Sequence, residues 1–261
     1  MEKIKRNNLI LSIISIAVFL VIWYLCTAIL ELVPSKTLPD PIKIYHTFID
    51  KFTNPNPDGG TLIEHTLASL RTALTGYFVA LIIGIPLGIL MAWYKYIDRF
   101  VRPVFDLIKP IPGIAWIPLM IVVFGIGIKS KAAVVFFSAV VPCILNSYTG
   151  IKQTRDVHLW VARTFGATNF QMLQKIAIPT ALPYIMTGVR VALGSAWIAI
   201  VAAELLGSTK GLGFMIQQSR GIFRTDIIIV GMIAIGICGA ALTQILTIVE
   251  KKVVKGRIDN E

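Results

Sequence analysis

Four stretches of this chain, residues 7–30, 72–94, 132–151 and 227–249, contain no Asp, Glu, Lys or Arg. Each is at least 20 residues long, and about 20 apolar residues carry a helix across the roughly 30 Å of a bilayer's hydrocarbon. A fifth stretch, 110–128, has 19 residues and holds Pro110, Pro112 and Pro118, so its first part is expected to be irregular. A sixth, 191–203, is too short alone and becomes a span when extended to 184–206, with Arg190 and Glu204 near opposite ends and free to snorkel. Only 15% of the 261 residues are charged, where a soluble domain carries about 25%. The expectation is an all-α integral membrane protein with six transmembrane helices.

The excess of basic residues, 25 against 14 acidic, would suggest nucleic acid in a polar protein. Here it serves topology, and no nucleic-acid partner is expected. With the N-terminus inside, the inner segments hold Lys3, Lys5, Arg6, Lys95, Arg99, Arg102, Lys109, Lys152, Arg155, Arg163, Lys175, Lys251, Lys252, Lys255 and Arg257. The outer segments hold only Lys36, Lys43, Lys51, Arg71, Lys129, Lys131, Lys210, Arg220 and Arg224. The imbalance predicts both termini in the cytoplasm of a multi-pass protein. The uncharged run at 7–30 exceeds the 7–15 residues of a signal-peptide core, which predicts a retained first helix. The chain then divides into a first helix (1–32), an outer loop (33–61), a transmembrane core (62–249) and a cytoplasmic tail (250–261).

Two polar regions interrupt the spans. Outside, Pro34, Pro39 and Pro41 predict a turn, followed by a short amphipathic helix through Ile42, Tyr45, Phe48 and Ile49 and a loop over 54–60. Inside, residues 152–179 predict two short helices. Thr154 is a candidate cap for the first, which shows Val157, Trp160, Val161 and Thr164 at helical spacing and stops at Gly166 in the C′ position. Thr168 or Asn169 caps the second, which carries Phe170, Leu173 and Ile176 on one face and ends before Pro179. Pro86, Pro118 and Pro142 predict kinks, and Gly84 with Gly88 permits close helix contact.

Chemistry of its own is hard to find in the chain. It has no phosphate-binding G-x-x-x-x-G-K-[ST], no G-x-S-x-G, no H-E-x-x-H and no S-x-x-K. Cys26, Cys143 and Cys238, like His46, His65 and His158, are scattered without metal-ligand spacing. The chain is therefore read as a non-enzyme that binds no metal or cofactor. Two charged residues are candidates for a pathway or gate. Glu204 either lines a passage or anchors a helix end and pairs within the outer loop; Arg190 either meets an anionic solute or pairs helices. An ion-coupled secondary transporter would need a buried acidic or histidine relay, and none is evident along the sequence. A membrane-embedded enzyme would need one of the missing catalytic constellations.

The inner loop carries a recognisable pattern. Trp160-Val161-Ala162-Arg163-Thr164-Phe165-Gly166-Ala167, followed by Ile176, Ile178 and Pro179, resembles the cytoplasmic signature loop of ABC importer permeases: E-A-A, three residues, Gly, nine residues, Ile, any residue, Leu-Pro. Trp160 stands where that family usually has Glu. Ser69-Leu70-Arg71, the stretch from Gly84 to Gly88, the stretch from Pro110 to Leu119 with Phe124 to Gly127, and Ala202 to Leu205 followed by Gly211-Leu212-Gly213 are similar to the nitrate/sulfonate/taurine branch. The resemblance spans roughly residues 39–249. It implies a type I ABC importer transmembrane domain in the plasma (inner) membrane, which forms a channel with a second copy of itself. It further implies two cytoplasmic ATPase subunits that use the ATP, an extracytoplasmic solute-binding protein, and a cargo such as a sulfonate, taurine, nitrate or a related small organic anion. Trp160 to Ala167 would then be the coupling helix that seats on an ATPase.

Overall fold

The computed structural model describes residues 2–254 in backbone and 11–252 in side chains. Lys3, Lys5 and Arg6 therefore lie outside the described side chains, and residues 255–261, the end of the expected tail, lie outside the described residues. Eleven α-helices are present among the described residues: α1 (Glu2–Tyr24, extended by a π turn, Leu25–Ile29), α2 (Pro41–Asp50), α3 (Leu62–Trp93), α4 (Lys95–Ile108), α5 (Ile117–Phe124), α6 (Ile128–Lys152), α7 (Asp156–Thr164), α8 (Asn169–Met172), α9 (Ile178–Leu206), α10 (Leu212–Gly221) and α11 (Thr225–Val254). Five helical stretches are long and apolar enough to cross a membrane: 11–29, α3, α6, the unbroken run Asn169–Leu206, and 225–252.

The third crossing differs from the others. Proline-rich residues 109–112 separate α4 from a 3-10 turn (Gly113–Trp116) that leads into α5, and the two sides of this break are bent by 86°. The irregular start expected at Pro110 and Pro112 is there. Pro118, however, does not kink a helix. It occupies the first turn of α5, where a missing N–H costs nothing.

The core is a three-helix layer of α3, α6 and α9 with α6 in the middle. Small residues at every fourth position of α3 (Gly76, Ala80, Gly84, Gly88) are buried against α6. A Cβ on Gly76 would lie 2.4 Å from the Ala132 carbonyl oxygen, and one on Gly88 would lie 2.5 Å from that of Ile144. The contact advances along both helices together, so α3 and α6 run parallel. On the other side of α6, Gly150 meets Ala181 while Gly188 meets Pro142 and Asn146, which makes α9 antiparallel to α6. Lipid tails are as apolar as Leu, so such packing rests on close backbone approach rather than on water release. Tyr77 closes the layer by donating to the Val189 carbonyl at 3.1 Å.

Two expectations need correction. The second inner helix does not end before Pro179. It enters a π turn (Leu173–Ala177) and continues as α9, with Pro179 in the first turn. The wider turn supplies the slack the proline ring requires. Arg190 consequently lies in the middle of a 38-residue helix, not near its end, and its guanidinium pairs with Glu250 of α11. The amphipathic helix α2 does form, but it buries Ile44 and packs Phe48, leaving Ile42, Tyr45 and Ile49 exposed.

Replacing Gly88 by Val should drive a side chain into the α6 backbone at a cost of about 1–3 kcal/mol. Gly236→Ala in α11, where a Cβ meets nothing within 4 Å, should be near neutral. Thermal unfolding in detergent is expected to show a lowered midpoint for the first variant and an unchanged one for the second.

Candidate functional site

The two ends of the bundle carry different machinery. At the end where α6 finishes and α9 begins, α7 projects with no buried residue. Thr154 does not cap it: Arg155 holds the cap position, and the Thr154 hydroxyl is buried without a hydrogen-bond partner among the described residues. The stop is a Schellman turn, in which Gly166 N–H donates to Arg163 O and Ala167 N–H to Ala162 O, both at 3.0 Å. Gly166 takes φ +80°, the left-handed conformation that the sequence pattern anticipates at C′. Thr168 then caps α8 in a reciprocal box with Gln171. Val157, Trp160, Val161 and Thr164 are all exposed, as are Arg163 and Gly166; Ala162 and Ala167 are half-buried. Phe165 is 87% exposed and Phe170 64%. A short, precisely terminated helix with this much uncovered apolar surface is shaped to be covered by another protein.

The opposite end, about 32 Å away along α6 from Lys131 to Lys152, holds a buried polar network. Glu204 does not snorkel. It is 1% exposed and sits within 2.8 Å of the Ser69 hydroxyl, which donates to it, while Gly213 N–H donates at 3.0 Å. Ser69 Oγ in turn accepts from Leu212 N–H at 2.9 Å. Lys131 acts on Glu204 electrostatically and donates to Ser208 at 2.8 Å.

His65 extends the network. Its Nδ1 accepts from Gly211 N–H at 3.1 Å, so that nitrogen carries the lone pair and the proton sits on Nε2. Nε2 faces Asp58 Oδ2 at 2.7 Å, and neither atom has another partner among the described residues. The other Asp58 oxygen accepts from Lys51 at 2.6 Å; Lys51 also donates to the carbonyls of Asn54, Asn56 and Gly60. The cations Lys51 and Lys131 thus balance the anions Asp58 and Glu204 around a neutral His65. Burial pushes the Asp58 carboxyl up, but the hydrogen bonds from His65 and Lys51 outweigh it and hold it below its ordinary value of 3.8. The clamp is therefore complete above that value and is lost only as pH falls through the lowered one.

The structure thus separates the sequence candidates. Trp160 to Ala167 form one projecting element, while Glu204 lies at the far end and Arg190 between, each engaged with partners inside the chain. Nothing along the sequence marks Lys51, Asp58, His65, Ser69 and Lys131 as members of one site, yet with Glu204 they form a buried acidic and histidine cluster. Hydrogen-bonded partners in it are up to 146 positions apart, and only their convergence on one spot identifies them. The cluster stays at one end of the bundle, so it offers no relay across the membrane. Asp58→Asn should leave Lys51 buried without its carboxylate and destabilise the fold by about 3–5 kcal/mol. The double variant Lys51→Met/Asp58→Leu should be much milder. Unfolding midpoints, and proteolysis of the 54–60 loop, would read both.

Residues 84–257 match the family model described as the binding-protein-dependent transport system inner membrane component. The chain is 35% identical to the taurine transport system permease protein TauC of Escherichia coli, over 87% of this chain and 82% of that protein. It is 32% identical to the nitrate import permease protein NrtB of Synechocystis, over 92% and 88%. An inward-facing structure of the MetNI methionine ABC transporter shares the fold, with a TM-score of 0.62 at 19% identity over 74% of this chain and 94% of the matched chain. With the family model matching well over half of its length, the chain belongs to the binding-protein-dependent inner membrane components, the permease subunits of ABC importers.

Proposed function

We propose that this permease works as a pair of identical copies, seats one cytoplasmic ATPase subunit on each α7, and receives a small organic or inorganic anion from a solute-binding protein at the opposite face. The observation that carries the reading is α7 itself, a rigidly ended helix with exposed Trp160, Val161 and Phe165 lodged between two spans. Both termini lie in the cytoplasm, as the distribution of basic residues favours. The relatives named for taurine and nitrate support a small anionic or zwitterionic cargo. Choice among such solutes rests with the binding protein, since Arg190 and Glu204 are already matched by Glu250 and by the Ser69–Gly213–Lys131 set.

The connections of α7 describe how force travels. On one side residues 153–155 tie it to α6; on the other, α8 continues without a break through the π turn into α9. Closure of two ATPases on ATP draws the α7 helices together and swings the continuous run Asn169–Leu206 as a lever of roughly 57 Å, with Glu204 near its far end. ATP and loaded binding protein both favour one orientation of the bundle, and each shifts the population only by its differential affinity for that state. No covalent chemistry falls to this chain.

A Cβ on Gly166 meets nothing within 4 Å, so Gly166→Val carries only the backbone cost of its left-handed φ, about 1–2 kcal/mol. It is expected to insert normally yet lose coupled transport in proteoliposomes holding the ATPase and binding protein. Asn, which tolerates that conformation, should restore much of the activity at the same position. Ala162→Glu should also uncouple, by placing a charge in the contact. Normal transport by Gly166→Val and Ala162→Glu would remove the coupling assignment.

Topology has its own test. In an otherwise cysteine-free chain, Asn56→Cys, at an exposed position of the 54–60 loop, should react with an impermeant thiol reagent in intact cells. Protection until lysis would invert the orientation.

A further inference from the structure

Helix α4 has three faces rather than two. Ile97, Val101 and Phe105 pack against the bundle. Asp98 pairs with Arg102, whose guanidinium also lies 4.9 Å from the Tyr148 ring near the inner end of α6, and Asp106 pairs with Lys109. The third face is a stripe of Tyr96, Phe100, Val104 and Leu107 within roughly 80° of arc. Tyr96 and Phe100 are 85% and 83% exposed, and nothing among the described residues covers the stripe. Arg99 borders it and Lys95 begins the adjoining charged face, both exposed and without an acidic partner among the described residues.

The helix is also wrongly aimed for a span. Its 14 residues measure about 21 Å, but at 86° to the following segment they add only about 1 Å along the direction of α5. An amphipathic helix with an aromatic apolar side, basic residues next to it and a course across the neighbouring crossing has the features of one lying in a membrane interface. A second copy is a poorer occupant. A two-fold contact through the same stripe would bring two Lys95 and two Arg99 side chains together, whereas lipid phosphates neutralise them.

We propose that α4 is an in-plane anchor for anionic phospholipid: Tyr96, Phe100, Val104 and Leu107 sink among the acyl chains of one leaflet, and Lys95 and Arg99 rest on lipid phosphates. The anchor fixes the depth of the break between α4 and α5, and with it the inner end of the short third crossing. It does not depend on which protein covers α7.

The test uses the complete transporter in nanodiscs of phosphatidylcholine with and without phosphatidylglycerol. Cys26, Cys143 and Cys238 are replaced, and Phe100→Cys, or Leu107→Cys if the first variant folds poorly, carries an environment-sensitive fluorophore. Quenching by lipids brominated near the headgroup end of the chain is expected, with little effect from aqueous iodide. Lys95→Gln and Arg99→Gln should each lower phosphatidylglycerol retained on the purified complex roughly five-fold. Iodide quenching without lipid quenching would overturn the proposal, as would efficient disulfide formation between the Phe100→Cys positions of two copies. Unchanged phosphatidylglycerol retention in both charge variants would remove the anionic specificity. Gly166→Val should leave all these signals intact, which separates failure of the anchor from failure of the coupling assignment.

Discussion

The close approach of three helix backbones along α6 is the contact on which the rest of this molecule depends. In hydrocarbon there is no water to expel from between helices, so cohesion has to come from van der Waals contact and a few hydrogen bonds. Small residues at four-residue spacing on α3 bring it against α6 from one side, while Gly150 and Gly188 do the same on the α9 side. A packed layer of this kind has few intermediate arrangements, because displacing one helix by even a methyl group's width meets main-chain atoms. The layer is therefore built as one unit, and α1, α4 and α5 keep large apolar surfaces exposed.

Stiffness of the layer gives meaning to the placement of its two ends. A helix that merely projected from the bundle would swivel on its connections. Here α7 is held by a three-residue link to α6 and by a capped, continuous helix leading into α9. Its own stop is a Schellman turn whose two hydrogen bonds need the conformation Gly166 adopts. A continuous helix thus connects the end of α7 to the far end of α9.

At that far end sits the charge-balanced network. Glu204 ties the end of α9 to α3 through Ser69 and to α10 through Gly213, and His65 with Asp58 and Lys51 adds the outer loop. Four charges are affordable in so buried a place because every one is matched and hydrogen-bonded; any single removal strands its partner. The network makes the outer loop and α10 part of the same body as the core, so a protein docking on that face would press on the spans directly.

The membrane class, the positions of the spans, the C′ glycine and the Thr168 cap were all legible along the chain, because apolar run length and local backbone preference are properties of neighbouring residues. The irregular start of the third crossing was legible for the same reason, since proline acts on its own turn. Tertiary structure alone decided that Pro179 lies inside a helix rather than after one, that Arg190 is mid-helix and matched by Glu250, and that Glu204 is buried. It alone gathered His65, Asp58, Lys51, Ser69 and Lys131 around that carboxylate. Such features depend on residues far apart in sequence, and the energy of a buried charge is set by whichever partners the packing brings within hydrogen-bond distance. Periodicity and composition carry no record of those partners.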